Sequence, residues 1–129
     1  MKLQKSITIC YWSPNPDELM KFYRDVLELQ YENKSELPDD YGYEFLIADN
    51  IWLWIGRHSE VHGYNKEPVR NIVELYTDNL DYWYEKVKKS GVKIIAEPFV
   101  SPMSDENRTI RVFTFHDPEG NCLQIGEGY

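Results

Sequence analysis

Apolar and polar residues alternate along several short segments of the chain, and a spacing of three to four residues marks two longer ones. Alternation is typical of a strand with one buried face, and the longer spacing is typical of an amphipathic helix. In the first half, alternation predicts strands over residues 6–12, 43–48 and 51–55, with a turn at Asp49-Asn50 between the last two. A short further strand is expected over residues 31–33.

The first helix has a clear start. Asn15 suits the capping position and Pro16 the first helical position, and the acidic pair Asp17 and Glu18 favours the positive end of the helix dipole. We expect its apolar face to consist of Leu19, Phe22, Tyr23, Val26 and either Leu29 or Gln30.

The second half repeats this order of elements. A helix is predicted to be capped by Asp78 and to stop at Gly91, because glycine is favoured just past a helix end. Its apolar face is Leu80, Trp83, Tyr84 and Val87. The predicted strands are residues 71–76, 92–96, 109–115 and 121–125, with a loop over residues 101–107.

Two pairs of segments correspond between the halves. Phe22-Tyr23 matches Trp83-Tyr84, and residues 54–56 match residues 124–126. The chain is therefore predicted to be an α+β protein made of two βαβββ repeats. We expect one domain over residues 1–129, with repeat one at 1–57, a breaker-rich linker at 58–68 and repeat two at 69–129.

Composition limits the partners. The net charge of −8 disfavours nucleic acid and anionic membranes, which both attract a basic face. No apolar run is long enough to span a membrane. The two cysteines, Cys10 and Cys122, form no disulfide framework. We therefore expect an acidic cytoplasmic protein with reduced thiols.

Alternation also indicates which side chains point away from the helices. With the aliphatic positions packed under the helices, the opposite face is partly polar and rich in aromatic rings. In the first repeat this face carries Thr8, Cys10, Trp12, Trp52 and Trp54, and in the second it carries Ile72, Glu74, Tyr76, Cys122 and Gln124.

Three features together resemble one known superfamily. They are the tight turn Asp117-Pro118-Glu119-Gly120-Asn121 before an alternating strand, the Phe22-Tyr23 helix, and the repeat itself. The chain resembles the vicinal oxygen chelate superfamily of glyoxalase, bleomycin-resistance and dioxygenase proteins. The resemblance implies curved mixed sheets around a pocket, with helices on the outer face and often a pocket between two subunits.

The resemblance also implies where a metal would bind. The ligand positions of the catalytic members fall at Thr8, Trp54, Ile72 and Gln124 in this sequence. Hard and borderline divalent metals need carboxylate or imidazole, and these four side chains offer at most two weak neutral ligands. We therefore predict no metal, no cofactor and no catalytic residue.

Glu74 is the strongest single candidate for a ligand-binding residue. A carboxylate among aromatic rings is costly unless it is paired, so it is expected either to hold a cation or to act as a base. An ordinary exposed carboxylate paired with a lysine or arginine is the alternative. The aromatic rings could stack a ligand or be buried in a dimer interface. The predicted ligand-binding set is Thr8, Cys10, Trp12, Trp52, Trp54, Ile72, Glu74, Tyr76 and Gln124.

The three histidines give weaker signals. His58 and His62 have metal-like spacing with Glu60 between them, but they lie in the breaker-rich linker, where a plain loop is favoured. His116 precedes the Asp-Pro turn, and we expect it to be a hydrogen-bonded turn residue.

The function predicted from these residues is metal-independent binding of an amphipathic or cationic aromatic molecule. This resembles the bleomycin-resistance branch, which confers drug resistance by sequestration, and the chain is expected to be a homodimer. The alternative is a metal-dependent glyoxalase-like lyase, isomerase or dioxygenase. A third possibility is a regulatory or scaffolding dimer without a ligand.

Overall fold

Each half of the chain folds as a four-stranded mixed sheet with one α-helix packed on it. The computed structural model describes residues 1–129, which fall into two units, Met1–Gly63 and Tyr64–Tyr129. The predicted α+β class and the two βαβββ repeats are confirmed. Neither α-helix is long and apolar enough to cross a membrane.

In unit 1, β1 lies at one edge and runs parallel to β4, whereas β4, β3 and β2 are antiparallel neighbours. The helix α1 continues directly into one wider π-helical segment. The elements are β1 Ile7–Ser13, α1 Pro16–Lys21 with the π segment Phe22–Val26, β2 Gln30–Leu37, β3 Asp40–Ala48 and β4 Ile51–Arg57.

Unit 2 has the equivalent order, β5-β8-β7-β6, with β5 parallel to β8 and the remaining pairs antiparallel. A short 3-10 turn precedes the first strand. The elements are the turn Pro68–Arg70, β5 Ile72–Thr77, α2 Leu80–Lys89, β6 Ile94–Val100, β7 Arg111–His116 and β8 Cys122–Glu127.

The core of each unit lies between the helix and the sheet. In unit 1, Leu19 and Tyr23 of the helical segments are buried with Phe45, Leu53 and Ile55 of the sheet. In unit 2 the buried set is Leu80, Val87, Phe113, Phe115, Leu123 and Ile125. Because each helix covers one face only, the opposite face of each sheet is left for other contacts.

Two strands, β2 and β6, differ most from their expected bounds. β2 pairs with β3 along its whole length, from Gln30 opposite Leu46 to Leu37 opposite Asp40, so it is much longer than residues 31–33. Most of its side chains are exposed, and a strand without a buried face shows no alternation. β6 lies later than residues 92–96, and two register irregularities in its pairing with β7 blur its pattern.

Two further expectations are corrected at the ends of the helices: the residue that caps α2, and the residues buried after α1. Asp78 does not cap α2; the cap is Asn79, whose side chain accepts a hydrogen bond from the Tyr82 backbone N–H at 3.2 Å. Gly91 follows the helix with φ +86°, as expected. After α1, the wide turn shifts the register, so Leu27 is buried whereas Val26 is only half-buried.

Candidate functional site

The strand register places the predicted site residues on the face of each sheet opposite its helix. We call these the open faces. In unit 1 the cross-strand pairs are Thr8 with Trp52, Cys10 with Trp54 and Trp12 with Gly56. In unit 2 they are Ile72 with Cys122, Glu74 with Gln124 and Tyr76 with Gly126. The two open faces are thus equivalent positions of the repeat.

Trp54 lies flat on the open face of unit 1, over two glycines. A Cβ added to Gly42 would be 2.2 Å from its Cζ2, and one added to Gly56 would be 2.1 Å from its Nε1. The indole therefore occupies the space of two missing side chains. Its N–H is buried and has no hydrogen-bond partner in the protein. Since buried polar groups are nearly always paired, this unpaired donor is unusual.

Trp12 extends the aromatic surface beside Trp54. Its ring comes within 3.0 Å of the Cβ position of Gly56 and is 40% exposed. The His58 ring contacts it edge-on, with centroids 5.2 Å apart. Trp52 is half-buried on the same face, so three indoles are available to one side of this sheet.

The open face of unit 2 is built on Gly126, the counterpart of Gly56. A Cβ at Gly126 would be 2.7 Å from both Glu74 Oε1 and Tyr129 Cε2. The Tyr129 hydroxyl donates a hydrogen bond to Glu74 Oε1 at 2.6 Å. Glu74 is half-buried, and its partner is this phenol rather than a surface lysine or arginine.

The Tyr129 ring also contacts Tyr76, with centroids 4.5 Å apart and ring planes inclined by 34°. The hydrogen bond to Glu74 raises the pKa of Tyr129 to about 12, because loss of the phenolic proton would place two negative charges side by side. Glu74, Tyr76 and Tyr129 form a carboxylate with two rings, which we call the Glu74 cluster.

Sequence reasoning missed Tyr129. It lies beyond the last strand, where neither alternation nor the repeat predicts a position. The one local signal is Gly128, whose φ is +97° and whose added Cβ would lie 2.2 Å from the Thr109 carbonyl oxygen. Glycine is needed for such a close approach, and the chain turns there toward the open face.

The two cysteines differ in exposure, and His58 and His116 each have a polar neighbour. Cys10 is exposed, whereas Cys122 is buried, and burial raises the pKa of its thiol. His58 Nδ1 accepts a hydrogen bond from the Glu60 backbone N–H, a contact within the loop. His116 is buried, and its Nδ1 lies 3.4 Å from the Tyr64 hydroxyl.

The four positions at which the resemblance implies metal ligands do not offer a donor set that suits a metal. Thr8 and Ile72 are equivalent by register, as are Trp54 and Gln124, so the positions follow the repeat as expected. Threonine, isoleucine, tryptophan and glutamine supply neither carboxylate nor imidazole. No group of three or more His, Cys, Asp or Glu side chains is placed to hold a metal ion.

Comparison with known proteins identifies the family. The model of the Glyoxalase/Bleomycin resistance protein/Dioxygenase superfamily matches residues 6–125. The chain belongs to this superfamily. Curated protein sequences gave no significant match.

Solved structures in the superfamily share the fold of this chain at low identity. Lactoylglutathione lyase from Agrobacterium tumefaciens is 19% identical, with a TM-score of 0.68 over 98% of this chain and 96% of that one. The fosfomycin resistance protein FosX from Mesorhizobium loti is 16% identical, with a TM-score of 0.69 over 96% and 91%. TioX from Micromonospora sp. ML1 is 11% identical, with a TM-score of 0.72 over 98% and 100%.

Proposed function

We propose that this superfamily member binds a small amphipathic or cationic aromatic molecule on its open faces without a metal. The observation that carries the proposal is the indole of Trp54, laid flat over Gly42 and Gly56. A planar aromatic platform of this kind suits stacking and needs no catalytic group. The positions at which the resemblance implies metal ligands, Thr8, Trp54, Ile72 and Gln124, hold side chains unsuited to a metal.

The preference for a cation comes from charge. The net charge of −8 attracts cations to the protein as a whole. Glu74 provides a fixed carboxylate next to the rings of Tyr76 and Tyr129. A cation over an exposed aromatic face gains about 0.5–1 kcal/mol, and more when it is desolvated. Rings and carboxylate therefore favour the same class of ligand.

Two finer parts of the proposal concern biology and assembly. Sequestration of a toxic aromatic compound would make this a drug-resistance protein, and one structural neighbour is itself a fosfomycin resistance protein. A homodimer would cover apolar surface such as Ile72, which is 46% exposed. Large exposed apolar groups at a sheet edge are typical of interaction surfaces.

The test is a thermal-shift screen of planar cationic, neutral and anionic aromatic compounds, followed by titration of the best binder. A ligand that binds only the folded state raises its stability by about 2.7 kcal/mol at one hundred times Kd. The first variants are Trp54→Leu and Glu74→Gln. Their matched controls are Trp83→Phe and Glu85→Gln, which change the same residue types on α2.

Trp54→Leu should weaken cationic and neutral ligands alike, because stacking does not require charge. Glu74→Gln should weaken a cationic ligand about ten- to a hundredfold and a neutral analogue much less, since hydrogen bonds to charged groups contribute roughly 1.5–3 kcal/mol. The α2 controls should bind normally. Equal losses for the controls and the open-face variants would contradict binding on the open faces.

A further inference from the structure

Tyr129 occupies the place on unit 2 that Trp54 occupies on unit 1. In unit 1, the aromatic ring over the β4 glycine comes from β4 itself. In unit 2, the equivalent β8 residue is Gln124, which has no ring, and the space over Gly126 is shared by Glu74 and Tyr129. The ring of Tyr129, which lies outside the repeat, therefore takes the place that the Trp54 ring has over the glycine in unit 1.

The contacts of Tyr129 are those expected of a bound small molecule. Its ring lies against Tyr76 with centroids 4.5 Å apart, and its hydroxyl donates to Glu74 at 2.6 Å. Yet the side chain is 51% exposed, so few other contacts hold it. A half-exposed ring that is held through a tilted contact with Tyr76 and one hydrogen bond to Glu74 can be exchanged for another ring that offers both.

We propose that the Glu74 cluster is a binding subsite for an aromatic ring bearing a hydrogen-bond donor, either a phenol or a ring with an ammonium group, and that Tyr129 is its internal occupant. A ligand enters by displacing the Tyr129 side chain, takes over the stacking on Tyr76 and donates to Glu74. This inference rests on the proposed function, because it specifies the ligand group that the open face of unit 2 selects.

An internal occupant has a measurable consequence. A tethered side chain competes at a high effective concentration, so the apparent affinity of a ligand falls by the fraction of time that the subsite is free. Removing the ring should therefore tighten binding, whereas removal of an ordinary binding residue weakens it. Few contact residues give this reversed sign, and the sign separates competition from a merely structural role.

The first experiment titrates 4-methylphenol, benzylammonium and 4-methylanisole into metal-stripped protein, following backbone amide shifts of Gly126 by NMR. Tyr129→Ala should tighten 4-methylphenol and benzylammonium about tenfold. 4-Methylanisole lacks the donor and should bind weakly to both proteins. Tyr82→Ala, on the exposed side of α2, is the matched control and should leave all three affinities unchanged.

The second experiment needs no ligand. Tyrosine ionisation is followed by ultraviolet absorbance in the original protein, in Tyr129→Phe and in Glu74→Gln. Tyr129→Phe should remove one group that titrates with a pKa of about 12, and Glu74→Gln should return the pKa of Tyr129 toward its ordinary value of 10.0. Unchanged titration curves in both variants would show that the Tyr129–Glu74 contact does not form, which overturns the inference.

Two further outcomes separate this inference from the proposed function. If Tyr129→Ala leaves the affinity for 4-methylphenol unchanged or weakens it, internal competition is wrong, while Trp54-dependent binding still supports the proposed function. If Tyr129→Ala tightens binding but only after zinc is added back, the competition is right and metal-independent binding is wrong. Equal affinity for 4-methylphenol and 4-methylanisole would overturn the donor requirement.

Discussion

The position of the Trp54 indole over Gly42 and Gly56 can be tested by adding a single methyl group at one of these glycines. Gly42→Ala places a Cβ 2.2 Å from Trp54 Cζ2, with two further indole carbons at 2.5 and 2.6 Å. Carbon atoms prefer about 3.5–4.0 Å, so the indole must move outward by at least about 1.3 Å. Gly42 lies within β3, and no positive φ is required there. The substitution therefore acts on the ring rather than on the backbone.

The expected cost follows from this displacement. Overpacking costs about 1–3 kcal/mol, and the lower backbone entropy of unfolded alanine returns about 0.5–1 kcal/mol. Gly42→Ala should thus destabilise the protein by up to about 2.5 kcal/mol. In a Trp54→Val background the indole is absent, so the same substitution should be neutral or slightly stabilising.

The assay is a double-mutant cycle by urea unfolding, monitored by circular dichroism because the variants change a fluorescent residue. The entropy term is the same in both backgrounds and cancels, so we expect a coupling energy of about 1–3 kcal/mol between positions 42 and 54. Gly56→Ala, whose Cβ would be 2.1 Å from the indole Nε1, should couple in the same way. An identical cost of Gly42→Ala in both backgrounds would refute the placement of the indole.

Three other predictions concern stability. Asn79→Ala should lower the free energy of unfolding by about 1 kcal/mol in urea, because α2 loses its N-cap. Asp78→Ala should have little effect, and the reverse order would identify Asp78 as the cap. Asp117→Ala should cost about 2–4 kcal/mol, because Asp117 Oδ1 accepts from the backbone N–H groups of Glu119 and Asn121 and both would lose that buried acceptor. Burial, and to a lesser extent the charge of Lys93, lowers the pKa of His116 below 6.5. The stability that comes from neutral His116 is therefore complete above pH 6.5 and is lost as the pH falls through the lowered pKa. The free energy of unfolding should differ less between about pH 7.5 and pH 5.5 in His116→Gln than in the original protein.

Most of the fold was predictable because each unit has one helix on one face of its sheet. Leu53 and Ile55 therefore face the helix and Trp54 faces away from it. This difference produces the alternation of residue types that predicts the strand. The length of β2 was underestimated because a mostly exposed strand shows no such alternation. The cap of α2 was misplaced by one residue because Asp78 and Asn79 are both good caps, and only backbone geometry separates them.

The site was predictable only in part. Register followed from the repeat, so Glu74, Tyr76 and Gln124 were assigned to one face correctly. The partner of Glu74 was not predictable, because Tyr129 reaches it through a turn at Gly128 rather than through a strand. The flat position of Trp54 also depends on two glycines that are distant in sequence and meet only when β3 and β4 pair.

Metal-independent binding is tested by measuring the metal content of the protein and its ligand affinity together. The protein is purified, its zinc, nickel, manganese and iron are measured by elemental analysis, and the best binder from the screen is titrated before and after chelation. The account predicts no stoichiometric metal and the same affinity in both titrations. Stoichiometric metal that is lost on changing Thr8 and Gln124 together, with binding lost alongside it, would contradict the account.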